Sequence, residues 1–260
     1  MTSKVKLVSI TNPLIEVDVV QLEFSKWQWL DKILRILYRC PKKPAKRTLT
    51  PEEYIVYIAR VSNPKNQTNL VTTDKLLNYC IKKSHWSIFE QVDITLEIET
   101  SLSIGEQLLR HRSAVFQKYS GRYAELTTLE PIEFRFQDTK NRQNSFGTAG
   151  IVSIEEISGT NPNDVGLRDL LEDVQEYLKQ GLELYKELLE HGIAKETARM
   201  ILVGATSTRF YMKNNLRNWI HYIQVRALGE GVQKEHREIA LAIQDIFKEQ
   251  FPVISKALGW

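Results

Sequence analysis

The sequence predicts an α+β fold: a single domain, residues 1–260, with a central, mostly antiparallel sheet flanked by long helices. Three observations carry that prediction. Val92, Ile94, Leu96 and Ile98 alternate with Asp93, Thr95, Glu97 and Glu99, the pattern of a strand with one wet face. From Asp164 to His191 the apolar positions Leu167, Leu170, Leu171, Val174, Tyr177, Leu178, Leu182, Tyr185, Leu188 and Leu189 keep a helical period. Strand-like and helix-like segments are interspersed along the whole chain, with no internal repeat and no domain-sized shift in composition.

Taken in order, residues 4–10 alternate weakly and are expected as a first strand. Residues 19–39 read as a helix with a thin polar side, carrying Trp27, Trp29, Leu30, Ile33, Leu34, Ile36 and Leu37. A basic linker with Pro41 and Pro44 follows. Thr50-Pro51-Glu52-Glu53 is a capping box with proline at the first helical position, starting a helix that runs to about Ser62. A second helix is expected from Thr73 to about Lys83. Ser103-Ile104-Gly105-Glu106 repeats the capping-box pattern and opens a helix that delivers Gln107 and Arg110.

Beyond it, Ile132, Phe134 and Phe136 alternate with Glu133 and Arg135 as another strand. Residues 137–163 are rich in Asn, Ser, Gly and Thr and read as a long irregular loop with a short helix at Ile154–Ile157. Gly192 is placed to end the long helix. A further helix over Ala194–Val203, a short strand at Thr208–Met212, a helix capped by Asn214 and running to Arg226, and a last helix over about Gln233–Phe247 complete the chain.

Composition bounds the function. At 260 residues, 42% hydrophobic and 26% charged, the chain has the make-up of a soluble globular protein with a real core. A net charge of +3 does not by itself imply nucleic-acid binding. No signal peptide is legible, and no apolar run approaches the ~20 residues of a membrane span. Cys40 and Cys80 lie far apart and form no C-x-x-C, which fits a reducing cytoplasm. Both sit in helical, apolar surroundings where cysteine is inert packing more often than a nucleophile. No dinucleotide or P-loop glycine motif occurs, Gly229-Glu230-Gly231 being too short, and no two of the five histidines have zinc spacing, so no metal is expected.

Charge is unevenly spread. From Gln107 to Ala124 the chain carries Arg110, Arg112, Lys118 and Arg122 and no acid. Guanidinium forks suit phosphates, carboxylates and polarised carbonyls, and Ser120-Gly121 adds a hydroxyl and a closely approachable backbone. The bland alternative is a solvated basic face. A second alternative is a single-strand nucleic-acid binder, with Phe116, Tyr119 and Tyr123 as stacking surfaces.

Arg110-His111-Arg112, seven residues, then Ser120-Gly121-Arg122-Tyr123 resembles the signature of flavin-dependent thymidylate synthases. Ala59-Arg60-Val61-Ser62, His85-Trp86-Ser87-Ile88-Phe89-Glu90, Glu196-Thr197-Ala198-Arg199, Asn215-Leu216-Arg217 with His221 and Arg226, and Gln233–Glu238 resemble other segments of that family in the same order. The resemblance covers most of the chain outside residues 11–50 and 137–163; the stretches 19–50 and 137–163 are read as elaborations. Two positions depart from it: Gln117 stands where the family commonly has Asn, and Lys118 where it has an acid or Gln.

The resemblance implies reductive methylation of dUMP to dTMP, with FAD carrying the hydride, NADPH reducing the flavin and methylenetetrahydrofolate supplying the carbon. It further implies a homotetramer with sites at subunit interfaces. Arg122, Arg199, Arg226 and Ser120 are then expected at the reacting nucleotide, joined in substrate binding by Gln107, Arg110, Lys118, Tyr119 and Gly121. Ser62, His85, Ser87, Glu90, Arg110, His111, Arg112, Ser113, Gln117, Asn215, Arg217 and His221 are expected at the flavin. Glu90 is expected to pair with an arginine of the signature or to meet the adenosine part. A flavoprotein that binds but no longer turns over, because of Lys118, is the competing reading within the family.

Overall fold

The computed structural model describes residues 4–18, 46–161 and 163–260. The helix expected over 19–39, most of the basic linker and Cys40 lie outside the described residues. The chain divides into two compact units, each assembled from separated stretches. One takes the residues up to Val8 with Thr95–Asn214 and Ile220–Ile243; the other takes Ser9–Ile94, Asn215–Trp219 and Gln244–Trp260.

The first unit holds a four-stranded sheet in the order β1-β4-β9-β5, built from β1 (Lys4–Ile10), β4 (Asp93–Ser101), β5 (Val115–Lys118) and β9 (Ser207–Asn215). The alternation read from β4 puts Ile94, Leu96 and Ile98 in the core at no more than 1% exposure. Helix α3 (Leu102–Leu108) follows β4 directly. Its cap is Ser101, whose Oγ accepts from the Ile104 amide, so the cap lies two residues before the expected one. Strand β4 runs to Ser101, and the helix starts there, ahead of the Ser103/Glu106 pattern. At Gly105, an added Cβ would lie 2.5 Å from the Phe210 ring, so α3 sits down on β9 only because that position has no side chain.

Residues 137–163 are not the expected loop, and there is no helix at Ile154–Ile157. Strands β6 (Ile132–Gln137), β7 (Ser145–Val152) and β8 (Ile157–Ser158) form a three-stranded antiparallel sheet. A register shift between Phe134 and Phe136 bends the first pair. Cross-strand pairing, which composition does not report, overrides the turn-rich sequence here. Helix α4 (Val165–Glu190), capped by Asp164, covers this sheet with Leu171 and Leu178 against Val152. Gly192 ends the helix run at φ 79°, as its position predicts. Helix α5 (Lys195–Ala198) continues as a 3₁₀ turn over Arg199–Ile201.

In the second unit, β2 (Glu16–Asp18) and β3 (Lys46–Thr48) pair antiparallel beside α1 (Pro51–Ala59). Both halves of the Thr50/Glu53 capping box form. Helix α2 (Thr73–Lys82) packs against α1 and against α8 (Pro252–Leu258), a helix the sequence reading missed. Helices α6 (Leu216–Arg226) and α7 (Lys234–Gln250) each run through both stretches of the division. Asn215, the last residue of β9, caps α6 in place of Asn214, its Oδ1 accepting from the Asn218 amide at 2.9 Å, while the Asn214 side chain is buried. Trp219, fully buried, donates from Nε1 to the Ile94 carbonyl at 3.1 Å.

Glu52 joins α1 to α8: it is 6% exposed and accepts from the Ile254 amide at 2.8 Å. Burial pushes its carboxyl up to about 7, against the pull of two backbone amides. A folded-state value above the unfolded one contributes stability that is whole below about 4.5 and is lost as pH rises to about 7. Glu52→Gln keeps the acceptor oxygen and removes the charge. We expect the variant to gain on the order of 2 kcal/mol over the parent at pH 8 and nothing at pH 4.5. Thermal unfolding at the two pH values checks this; an equal difference at both would refute it.

Candidate active site

The basic run is built as helix end, turn, edge strand and turn, all in the first unit. Past α3, Arg110 and His111 close a turn, their amides donating to the Gln107 and Leu108 carbonyls. Arg110, Arg112 and Ser113 are exposed, and His111 is half-buried. Strand β5 then pairs antiparallel with β9, Val115 opposite Lys213 and Lys118 opposite Phe210. This strand was not expected from the sequence. Its alternation exposes Val115 and Gln117 and turns Phe116 and Lys118 inward. The Phe116 ring packs edge-on to Phe210 at 6.5 Å, and the Lys118 ammonium lies 5.4 Å over the same ring. Burial lowers the Lys118 pKa, with Arg199 adding to the shift and Glu106 opposing it.

The second turn is held on all sides. The Tyr119 amide donates to the Arg209 carbonyl at 2.8 Å, and the Arg209 guanidinium lies 5.9 Å over the Tyr119 ring. Ser120 Oγ accepts from the Arg122 amide at 3.4 Å, and its carbonyl accepts from the amides of Tyr123 and Ala124. Gly121 is buried. An added Cβ there would stand 2.8 Å from Leu126 and 3.4 Å from Cδ of Arg199, so the Arg199 stem lies directly on the signature turn. Glu196 ties the two arginines together: its carboxylate accepts from Arg122 Nη2 and its carbonyl from Arg199 Nε, each at 3.3 Å. Arg122 and Glu196 are more than half exposed, so this ion pair contributes little stability and yields readily to a competing anion. Of the three aromatics considered as stacking surfaces, Phe116 and Tyr119 are engaged, and Tyr123 is open at 83% exposure.

Beneath His111 lies a buried polar cluster. Arg226 donates from Nε to His111 Nε2 at 2.9 Å. The His111 ring stands edge-on to Tyr222 at 4.7 Å and to His236 at 5.9 Å. Burial, with Arg226 and His221 beside it, pushes His111 down to about 4; burial, with Arg226 and His111, pushes His236 down to about 3. Both imidazoles are therefore neutral at pH 7. His236, fully buried, reaches Gln107 Oε1 at 3.3 Å and the Tyr222 hydroxyl at 3.1 Å. Tyr222 and His236 were assigned no role from the sequence. They are separated from His111 by more than a hundred residues, so nothing in the linear pattern marks them as neighbours.

The predicted positions of the second unit form their own group. Arg60, 8% exposed, donates to the Asn69 carbonyl and to Thr72 Oγ1, pinning the turn that presents the exposed Ser62. His85 follows Ser84, whose φ of 57° makes the sharp bend, and stacks edge-on to Tyr79. The 3₁₀ turn Trp86–Gln91 buries Phe89 and leaves Ser87 and Glu90 outside. The partner of Glu90 is Arg217, not an arginine of the signature. Arg217 and Arg226, on one helix, thus have different partners, Glu90 and His111.

A flavin needs donors for its diphosphate, and each unit offers residue types that fit it. Among the described residues of the first unit Arg110 and Arg112 are exposed and pair with no acid; in the second, Ser62 and Ser87 are exposed. Cys80 is buried in α2 with its thiol pKa raised by burial, which makes it a poor nucleophile. Among the described residues no group of His, Cys, Asp or Glu could hold a metal ion, and no helix is long and apolar enough to cross a membrane. A separate polar cleft of about 890 Å³, lined by the β6–β7 hairpin and residues 230–237, contains none of the expected site residues.

A family model described as thymidylate synthase complementing protein matches residues 45–253. A probable flavin-dependent thymidylate synthase of Paramecium bursaria Chlorella virus 1 is 48% identical over 81% of this chain and 92% of its own. The flavin-dependent thymidylate synthase of Synechocystis is 47% identical over 82% of this chain and 91% of its own. Among solved structures, a UMP/dUMP methylase, PolB, of Streptomyces cacaoi bound with 5-Br dUMP shares the fold at TM-score 0.65 and 19% identity, over 99% of this chain and 94% of that one. With a match over most of the length of chain and relatives alike, this chain belongs to the flavin-dependent thymidylate synthase family.

Proposed function

We propose that the chain catalyses the reductive methylation of dUMP to dTMP, with methylenetetrahydrofolate as carbon donor, FAD as hydride carrier and NADPH as its reductant. The reading extends to a homotetramer of single-domain subunits with sites at their interfaces, working in the cytoplasm. The observation that carries it is Arg122 on the turn of buried Gly121 with the Arg199 stem packed against that turn, the two tied through Glu196, in a chain whose described cysteine is buried in a helix.

The bound flavin supplies the hydride. The protein's task is to hold dUMP and to stabilise the negative charge that a hydride delivered to the uracil ring pushes onto its C4 carbonyl. Arg122 and Arg199 hold and polarise the ring from fixed positions, so no enzyme thiol is needed for that stabilisation. The bound nucleotide displaces Glu196 from Arg122, and the Ser120 hydroxyl donates to the nucleotide. Arg226 acts at the same nucleotide and keeps His111 neutral with its proton on Nδ1, the nitrogen that Arg226 leaves free. Arg110, Arg112, Ser113 and Gln117 line the flavin, with Ser62, His85, Ser87, Glu90, Asn215, Arg217 and His221 as its remaining contacts. Lys118, facing inward between Glu106 and Arg199, adds positive charge on the substrate side with Gln107 and Tyr119.

Purified protein is expected to carry a flavin spectrum that shifts with dUMP and bleaches with NADPH under anaerobic conditions. Tritium release from 5-tritiated dUMP then measures turnover; a colourless protein that takes up no FAD contradicts the reading, and a bleaching flavin without tritium release identifies a binder that no longer turns over. Arg199→Ala, at an exposed position, should lower kcat/KM for dUMP by roughly 10²-fold with thermal stability unchanged, as loss of one transition-state donor does. Light scattering should give about four times the 30.2 kDa chain mass, and a monomeric mass would remove the tetramer.

A further inference from the structure

We propose that His236 is a positioning residue that fixes the amide of Gln107 in one orientation, so that Gln107 presents the nucleotide with an N–H donor. The proposal rests on the reading of Gln107 as a dUMP contact and adds to it the group that sets its polarity.

The bonds run in one direction. The Tyr222 hydroxyl is 3.1 Å from His236 Nε2, and His236 Nδ1 is 3.3 Å from Gln107 Oε1. Gln107 Nε2 donates to Gln233 Oε1 at 2.5 Å. A phenol hydroxyl donates readily, whereas an amide oxygen only accepts. With Tyr222 O–H directed to Nε2, the neutral His236 ring carries its proton on Nδ1 and donates it to Gln107 Oε1. With the Gln107 amide oriented as observed, the opposite tautomer sets a lone pair against its oxygen. Burial supports the assignment, since a ring with no exposed surface and Arg226 nearby stays neutral at pH 7. Gln107 is thereby clamped at both ends: its oxygen accepts from His236 and one N–H donates to Gln233. The half-buried amide keeps its second N–H for a ligand. An acceptor on the nucleotide, a uracil carbonyl or a phosphate oxygen, meets a matched partner, and a ligand donor at that point does not.

Asn and Gln divide the two functions of the imidazole. The Asn amide nitrogen takes the place of Nδ1 and keeps the donor to Gln107; the Gln amide end takes the place of Nε2 and keeps the contact with Tyr222. Both leave space where the ring was, so a packing role is lost in either. dUMP titrations of the FAD-loaded enzyme, followed by the flavin spectrum, are run with KM for dUMP and for methylenetetrahydrofolate. His236→Gln should weaken dUMP about tenfold, equivalent to about 1.4 kcal/mol. His236→Asn should stay within about threefold, and neither should move KM for the folate. Equal losses in both variants, or none in either, overturn the proposal. Should both buried variants fail to fold, Gln233→Leu at the exposed end removes the other clamp; dUMP binding weakened several-fold supports the proposal, and unchanged binding overturns it. A parent enzyme that binds no dUMP removes the synthase reading and this proposal with it, a result distinct from a parent that binds dUMP beside indifferent variants.

Discussion

The pairing of β5 on β9 is the constraint on which the rest of the first unit depends. It fixes a four-residue register, and that register decides which way each residue of the basic run faces. Lys118 and Phe116 go inward to Phe210 because the pairing places them there, while Gln117 goes out. A slip of one residue would exchange the two sets. Phe210 also receives α3 at Gly105, so one ring sets both the height of the helix before the run and the face of the strand within it. The turn carrying Ser120 to Tyr123 starts from the last bond of this pairing, Tyr119 to the Arg209 carbonyl.

A second constraint is electrostatic. Several cations that must stay available to anions are kept near one another without being neutralised. The chain does this by placing neutral groups under them. His111 and His236 are held uncharged by burial, and the Tyr222 phenol is pushed well above its ordinary value, so the floor carries hydrogen bonds without adding a competing carboxylate. The acid that does approach, Glu196, meets Arg122 at an exposed position where an ion pair is worth little. A strong buried salt bridge there would hold Arg122 better and bind phosphate worse. The contrast is Arg135, whose guanidinium lies between Glu133 and Glu235 with all three side chains nearly buried, and which is spoken for.

Local signals were legible where one segment suffices to decide them. The Thr50 capping box, the alternation of β4 and the period of α4 all stand as read, because a cap or a half-buried face depends on neighbours within a few residues. Reading failed where a distant partner decides. Ser103 carries the capping-box spacing, yet the helix starts at Ser101, where β4 ends, and β7 is a strand because β6 lies beside it, not because Gly, Ser and Thr favour one. The site divides in the same way. Arg122 and Arg199 came from a motif and are brought together by the fold. His236 carried no local sign, since its meaning lies in Tyr222 and Gln107, which the chain supplies from elsewhere.

The departure at Lys118 is accommodated by the same surroundings. A cation in place of an acid, facing inward on an edge strand, is stabilised by the face of Phe210 and by Glu106 across from it, while Arg199 opposes it. The result shifts the local balance toward positive charge beside the signature turn. For a dianionic nucleotide that shift favours binding of substrate and product alike, whereas only interactions that strengthen as charge develops on the ring speed the chemistry. In the proposed reaction Lys118 therefore belongs with affinity, and the burden of catalysis falls on the arginines, with the Arg199 stem packed on the glycine turn.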